Sequence, residues 1–211
     1  MARTNLSSND FLIKVLSPIA ISRPFSMACR VQLNTLGVLR SFLSLSVGGG
    51  SAIQYCFKVQ LNNRFGIQDN TTTINEPSGA RNTGSWYSLV GVYASATDRR
   101  FYVDGVEVAS TGSNIPFTQP AIFTLGGESR SGIVQNPFVS GSIADVALWN
   151  TDLSVDDVIS YAKGMSGDKI RTANLITNAK LIRDIDDPKN LGFATSGSVG
   201  IFAGNHPAVY N

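Results

Sequence analysis

Arg100-Phe-Tyr-Val-Asp-Gly-Val-Glu-Val108 reads as two short strands joined by a two-residue turn. Aromatic and β-branched residues flank Asp104-Gly105, and a type I′ hairpin turn needs positive φ at both central positions, which Asp-Gly supplies. Asp104 is therefore a turn residue, not an acid. Upstream, Ser85–Tyr93 is a strand rich in Trp, Tyr and Val. Downstream, Ala121–Leu125 ends at Gly126-Gly127, and Phe138–Trp149 is a further strand.

The pattern continues toward the N-terminus. Phe25–Leu33 alternates, and Val38–Val47 closes at Gly48-Gly49-Gly50. Ile53–Leu61 alternates apolar and polar residues, Asn62-Asn63 is a turn, and Arg64–Gln68 pairs back. Asp69–Gly84 has no periodicity and reads as a surface loop. One helix is expected after the last core strand. Ser154 precedes Val155-Asp156-Asp157, which places carboxylates at the positive end of the helix dipole, and Gly164 ends it. Leu175–Ile182 reads as a strand or a short helix, and Asp184–Pro188 as a turn. Many strands and one helix, without βαβ alternation, mean an all-β fold.

Composition fits. The 211 residues suit one large sandwich or two small domains. Hydrophobic residues make up 43%, enough for a core, while charged residues are only 15%, which favours short strands and polar loops. The net charge is +2 and no run of Lys and Arg occurs, so no nucleic-acid surface is expected; Arg99-Arg100 reads as a solvated strand end. Cys29 shares parity with Val31 and Leu33 and points inward. Cys56 alternates with Tyr55 and Phe57 and points the other way, so no bridge between the two is expected. Phe11–Ile21 is apolar but interrupted by Lys14 and Pro18, with Asp10 where an export signal wants positive charge. No run approaches the ~18 apolar residues of a membrane span.

Five motifs in order resemble one family. Arg23-Pro-Phe-Ser-Met-Ala-Cys-Arg-Val31, Ser85-Trp-Tyr-Ser-Leu-Val-Gly-Val-Tyr93, Arg100–Val106, Phe123-Thr-Leu-Gly-Gly127 and Phe138–Asn150 are similar to successive segments of the laminin-G-like, concanavalin A-like lectin/glucanase jelly rolls. The resemblance implies a two-sheet antiparallel jelly-roll sandwich over residues 23–163, with residues 1–22 an N-terminal arm or edge strand and residues 164–211 a C-terminal extension or tail. It implies that Trp86 and Trp149 are inter-sheet core or rim aromatics. Family members include glucan hydrolases, which need two carboxylates facing each other across the sugar bond. The three glutamates here, Glu76, Glu107 and Glu128, lack a second acid at strand spacing. Asp156-Asp157 and Asp186-Asp187 read as structural. His206 is the only histidine and lies beside Pro207 in the tail, without a partner for a nucleophile. The glycine pairs lack the Lys-Ser/Thr of a phosphate loop. No catalytic or cofactor residue is assigned and no enzyme is expected. Calcium is a family ligand that Asp69 and Asn70 suit by residue type alone, which does not assign a site.

Jelly rolls of this kind recur in tailed-phage virion proteins. The start at Met1 and the ending Gly204-Asn-His-Pro-Ala-Val-Tyr210 lean that way. The first expectation is a virion structural protein made in the host cytoplasm. It would be a capsid decoration or cement protein, multicopy or homo-oligomeric, whose terminal arms bridge the major capsid protein and its neighbours. The alternative is a carbohydrate-binding, lectin-like module in host recognition or a tail or fibre component, using loop Asn and Asp with Tyr55, Tyr87 or Trp86.

Overall fold

The computed structural model describes residues 21–47, 54–70, 72–79, 81–130, 133–136 and 141–179, together with the backbone of short strands at 3–4, 11–15 and 194–196. In chain order the strands are β1 (Arg3–Thr4), β2 (Phe11–Val15), β3 (Phe25–Leu33), β4 (Arg40–Ser46), β5 (Gln54–Val59), β6 (Phe65–Asp69), β7 (Thr72–Asn75) and β8 (Trp86–Tyr93). They continue with β9 (Arg99–Val103), β10 (Val106–Thr111), β11 (Ile122–Leu125), β12 (Glu128–Arg130), β13 (Ile133–Gln135) and β14 (Gly141–Trp149). Helix α1 (Val155–Ala162) precedes β15 (Leu175–Ala179) and β16 (Ala194–Ser196).

Among the described residues these strands form two antiparallel seven-stranded sheets and a small hairpin, β12–β13. The first sheet runs β14-β3-β8-β9-β10. The free edge of β14 is divided between two partners. Strand β1 takes Ser142 and Ile143, and β15 takes the stretch from Val146 to Trp149. The second sheet runs β16-β2-β11-β4-β5-β6-β7. The chain is thus an all-β jelly-roll sandwich with one α-helix among the described residues.

Alternation fills the space between the sheets. Phe25, Met27, Cys29, Val31, Leu89, Phe101 and Val103 face Leu45, Tyr55, Phe57, Phe65, Ile67 and Phe123. Aromatic rings dominate: Phe25 stacks on Tyr93 at 4.5 Å, and Tyr55 meets Phe25 edge-on at 5.3 Å. Both cysteines are free thiols, with Cys29 in this core and Cys56 on the opposite face of its strand. Asp104 and Gly105 have φ of 51° and 81°, as the Asp-Gly hairpin requires. The Asp104 carboxylate also accepts from the Ser88 N–H at 2.8 Å, which ties the turn to β8.

A second core lies on the outside of the first sheet. Ala28, Val90, Val92, Tyr102, Ala147 and Trp149 are covered by Val158 and Tyr161 of α1 and by Leu153, Ile170 and Leu175. Helix α1 begins as its sequence indicates. The Ser154 hydroxyl accepts from the Asp157 N–H, and the Asp157 carboxylate accepts from the Ser154 N–H, a complete capping box. It ends at Gly164 with φ of 106°, where Gly164 N–H bonds Tyr161 O and Met165 N–H bonds Ser160 O.

Four details differ from the sequence expectation. Trp149 is not between the sheets but beneath α1, with its indole N–H donating to Ile170 O at 2.7 Å. The cause is a bulge in β14, where one extra residue lies between the pairs Ala144–Arg30 and Ala147–Ala28 and Asp145 takes φ of 46°. Ile143 points inward before the bulge, Val146 and Leu148 after it, so Trp149 turns outward. Trp86 lies outside the inter-sheet core as well, half-buried at the start of β8. Arg99 is not a solvated strand end: it shares the inward parity of Phe101 and pairs with Asp69 at 3.1 Å, both fully buried. Part of the Asp69–Gly84 loop is β7, an edge strand paired to β6.

The Asp145 carboxylate accepts from Ser166, Gly167 and Asn178 on one oxygen and from Arg30 at 3.4 Å on the other. Asp145→Ala is expected to strand a buried guanidinium and to destabilise the fold by about 3–5 kcal/mol, measured by urea denaturation.

Candidate functional site

Three loops meet at one pole of the sandwich: residues 34–39 between β3 and β4, residues 60–64 between β5 and β6, and residues 81–85 before β8. Asn63 joins them. It takes the left-handed φ of 63° that asparagine tolerates in turns. Its side-chain oxygen accepts from Gly37 N–H at 2.5 Å, and its backbone oxygen from Arg81 N–H at 3.1 Å. Gly84 N–H donates to Leu33 O at 2.8 Å, while the Gln32 amide donates to Gly84 O at 2.7 Å.

Beneath the loops lies a rigid support. The Arg81 guanidinium sits over the rings of Phe65 and Tyr87, 5.4 and 5.3 Å from their centroids, and pairs with the buried Glu76. Glu76 also accepts from Phe65 N–H at 2.7 Å, and the Tyr87 hydroxyl accepts from Asn82 N–H at 2.9 Å. The surface of this pole carries amides and hydroxyls from Asn34, Thr35, Asn62, Asn82 and Thr83, all exposed. Between them stand aliphatic side chains, with Leu61 69% exposed and Leu36 and Val38 also exposed. Trp86 is half-buried on the outer face of the first sheet, paired in register with Gln32. The charged side chains of these loops, Arg64 and Arg81, are half-buried.

Of the three aromatics expected to offer a ligand platform, Trp86 is half-buried and the other two are buried. Tyr55 is fully buried, and its hydroxyl donates to Thr118 O at 3.0 Å. Burial pushes that phenol up to about 12, so it stays neutral. Tyr87 is buried under Arg81.

The outer face of the second sheet is the other concentration of polar side chains. One row across the strands runs Thr124, Ser44, Cys56, Gln68 and Thr73. It is exposed at Thr73 and buried from Gln68 to Thr124. At one margin Glu128 is buried beside Lys58, 3.0 Å away. Its carboxylate also accepts from Ser41 at 2.9 Å and from the Asn136 amide at 2.7 Å. Donors therefore occupy both Glu128 oxygens, and no second carboxylate faces it among the described residues of the sheet. The hydroxyls of Ser44, Ser46 and Thr124 are buried without a hydrogen-bond partner among the described residues.

The residues do not fit calcium at Asp69 and Asn70. Asp69 faces the space between the sheets, where one carboxylate oxygen is held by Arg23 at 2.5 Å and Arg99 at 3.1 Å. Burial pushes its carboxyl up from the ordinary range, against the pull of both guanidinium groups. The backbone oxygen of Asn70 accepts from the Gln68 amide at 2.6 Å. Among the described residues no group of three or more His, Cys, Asp or Glu is placed to hold a metal. No helix among them is long and apolar enough to cross a membrane. His206, Asp186-Asp187 and Gly48-Gly49-Gly50 lie outside the described residues. Asp156 and Asp157 stand in the first turn of α1, where Asp157 closes the cap.

Two packed antiparallel sheets with a helix on one outer face define a concanavalin A-like jelly roll. The chain belongs to the concanavalin A-like lectin/glucanases superfamily, whose family model matches residues 8–159. Among curated proteins none matches. Solved structures share the fold at low identity. The SAP-like pentraxin of Limulus polyphemus, a heptamer, is 15% identical with a TM-score of 0.59, over 76% of this chain and 80% of that one. The CBM40 module of Ruminococcus gnavus IT-sialidase, bound to α2,3-sialyllactose, is 14% identical with a TM-score of 0.59, over 77% of this chain and 98% of the module. A Bacteroides ovatus protein assigned to carbohydrate binding is 13% identical with a TM-score of 0.63, over 86% of this chain and 52% of that protein.

An unpartnered buried hydroxyl costs stability, about 1–3 kcal/mol relative to a satisfied one. Thr124→Val keeps the shape and removes that cost. The variant is expected to be more stable by about 1 kcal/mol in urea denaturation, and a loss of stability would mean that the hydroxyl is satisfied.

Proposed function

We propose that this chain is a carbohydrate-binding, lectin-like module that holds a glycan without cleaving it, using the pole built from residues 34–39, 60–64 and 81–86. The observation that carries this reading is the chemistry of that surface. A half-buried tryptophan and exposed aliphatic groups stand among neutral amides and hydroxyls, on loops locked by Asn63. Sugar rings present C–H faces for an indole and hydroxyl edges for Asn and Gln, so a site for them needs both kinds of surface side by side. Rigid loops limit the ordering cost of binding. The superfamily match and the sialyllactose-bound and carbohydrate-binding neighbours support the reading at the level of fold.

Glu128 and Asp69 support the part of the reading that excludes cleavage. Both carboxylates are buried and engaged by cations, and among the described residues neither stands opposite a second acid. The capsid-decoration reading has less support. Its proposed arms, residues 1–22 and 184–211, include Arg3–Thr4, Phe11–Val15 and Ala194–Ser196, which pair within the two sheets.

The full chain should retain at least one glycan on an array, with or without added calcium, and should leave its chain length unchanged on prolonged incubation. Trp86→Ala is expected to weaken that binding about tenfold, the loss of one stacking contact of about 1–1.5 kcal/mol, with the fold intact by circular dichroism. Absence of binding on the whole array, or full binding by the folded variant, would sink the assignment.

A further inference from the structure

Lys58, Glu128 and Asn136 come together at the margin of the second sheet, away from the pole. Lys58 is on β5, Glu128 opens β12, and Asn136 follows β13. The Lys58 Nζ lies 3.0 Å from Glu128 Oε2, and the Asn136 amide nitrogen donates to Glu128 Oε1 at 2.7 Å. One carboxylate therefore bridges an amine and a carboxamide. The Lys58 side chain is 6% exposed and that of Glu128 fully buried.

Asn136 is held from both ends. Its backbone oxygen accepts from Ser41 N–H at 2.9 Å, and its φ is 46°. Glu128 is oriented in turn by the Ser41 hydroxyl at 2.9 Å. Hydrogen bonds thus set the positions of amine, carboxylate and carboxamide before any reaction, in a site that excludes most water.

We propose that Lys58 and Asn136 form an intramolecular amide cross-link, with Glu128 as the catalytic carboxylate. A proton passes from the Lys58 ammonium to Glu128 Oε2 along their existing contact, which leaves a neutral amine. The amine lone pair attacks Asn136 Cγ and a C–N bond forms. Glu128 relays a proton from the attacking nitrogen to the amide nitrogen. The Cγ–Nδ2 bond breaks, and the amide nitrogen departs as ammonia, which takes up the remaining proton on release. No electrons are gained or lost, and no co-reactant is consumed. The new amide keeps one N–H for the Glu128 carboxylate. The cross-link ties the end of the β12–β13 hairpin to β5 across β4.

The residue after Asn136 is Pro137, which has no N–H. Cyclisation of Asn136 onto the following backbone nitrogen is blocked, so loss of ammonia at this position requires another nucleophile. The inference does not depend on glycan binding, because none of the three residues belongs to the loop pole.

Intact-mass spectrometry of the purified full chain is the test. The expected mass is lower than that of the sequence by one molecule of ammonia. Digestion should give a branched peptide joining Lys58 to Asn136. Lys58→Arg, Asn136→Ala and Glu128→Gln should each show the mass of their sequence, with the Glu128→Gln chain folded by circular dichroism. An unmodified mass for the folded natural chain overturns the cross-link, and this result stands whether or not any variant folds. Ammonia loss that persists in Glu128→Gln overturns the role given to the carboxylate.

Discussion

The outer layer of this sandwich depends on Asp145. It sits in the β14 bulge with a left-handed backbone, a conformation Asp adopts at lower cost than most residues. The extra residue reverses the parity of β14, so its first part feeds the inter-sheet core through Ile143 while its last part presents Ala147 and Trp149 outward. The same residue holds what covers that outward face. Its carboxylate gathers Arg30 of β3, Ser166 and Gly167 of the segment after α1, and Asn178 of β15, and its backbone oxygen accepts from Tyr161 of α1 at 2.5 Å. Without the bulge Trp149 would share the parity of Ile143, and the face under the helix would lose its largest side chain, keeping Ala28, Val90, Val92 and Tyr102.

This explains which parts of the fold the sequence revealed. Alternation located β3, β5 and β8, Asp104-Gly105 placed a hairpin, and Ser154 with Asp157 placed the helix start. These are local signals, carried by the residues that form each element. A bulge carries no such signal. Counting parity through Ser142 to Trp149 assumes an unbroken ladder, and a single Asp in an apolar strand reads as an outward residue. Arg99 departs from its sequence pattern for a related reason: its inward parity is plain, but a buried guanidinium is plausible only once Asp69, thirty positions away in the chain, is known to face it from the other sheet. Strand β7 was hidden because an exposed edge strand of Thr and Asn has the composition of a loop.

The candidate site was legible only in part. Trp86 stood out by residue type, as did Tyr55 and Tyr87, yet burial separates the first from the other two. The remainder of the pole was not found because its parts are remote in sequence. Asn62-Asn63 read as a turn, which it is, but the turn also supplies the oxygen that receives Gly37 and the backbone that receives Arg81. Nothing in Asn34–Val38 announces that it will lie against residues 61–63.

Polarity is distributed unequally over the molecule, and that bears on what it can do. The first sheet covers the part of its outer face at Ala28, Val90, Val92, Ala147 and Trp149 with α1 and the segments beside it, and leaves Trp86 half-buried beyond that cover. The second sheet lines its outer face with Ser, Thr, Gln, Lys and Glu, but from Gln68 to Thr124 these groups are buried, and the one carboxylate among them is surrounded by donors. At the pole, among the described residues, the support below is ionic and aromatic and the fully exposed side chains are neutral, with Arg64 and Arg81 half-buried beside them. Charge at the support fixes the loops through Arg81 and Glu76, and in the proposed reading recognition falls to the exposed amides and hydroxyls and one indole. Such a surface suits a neutral, hydroxyl-rich ligand better than a nucleic acid, which would need exposed cations along its backbone.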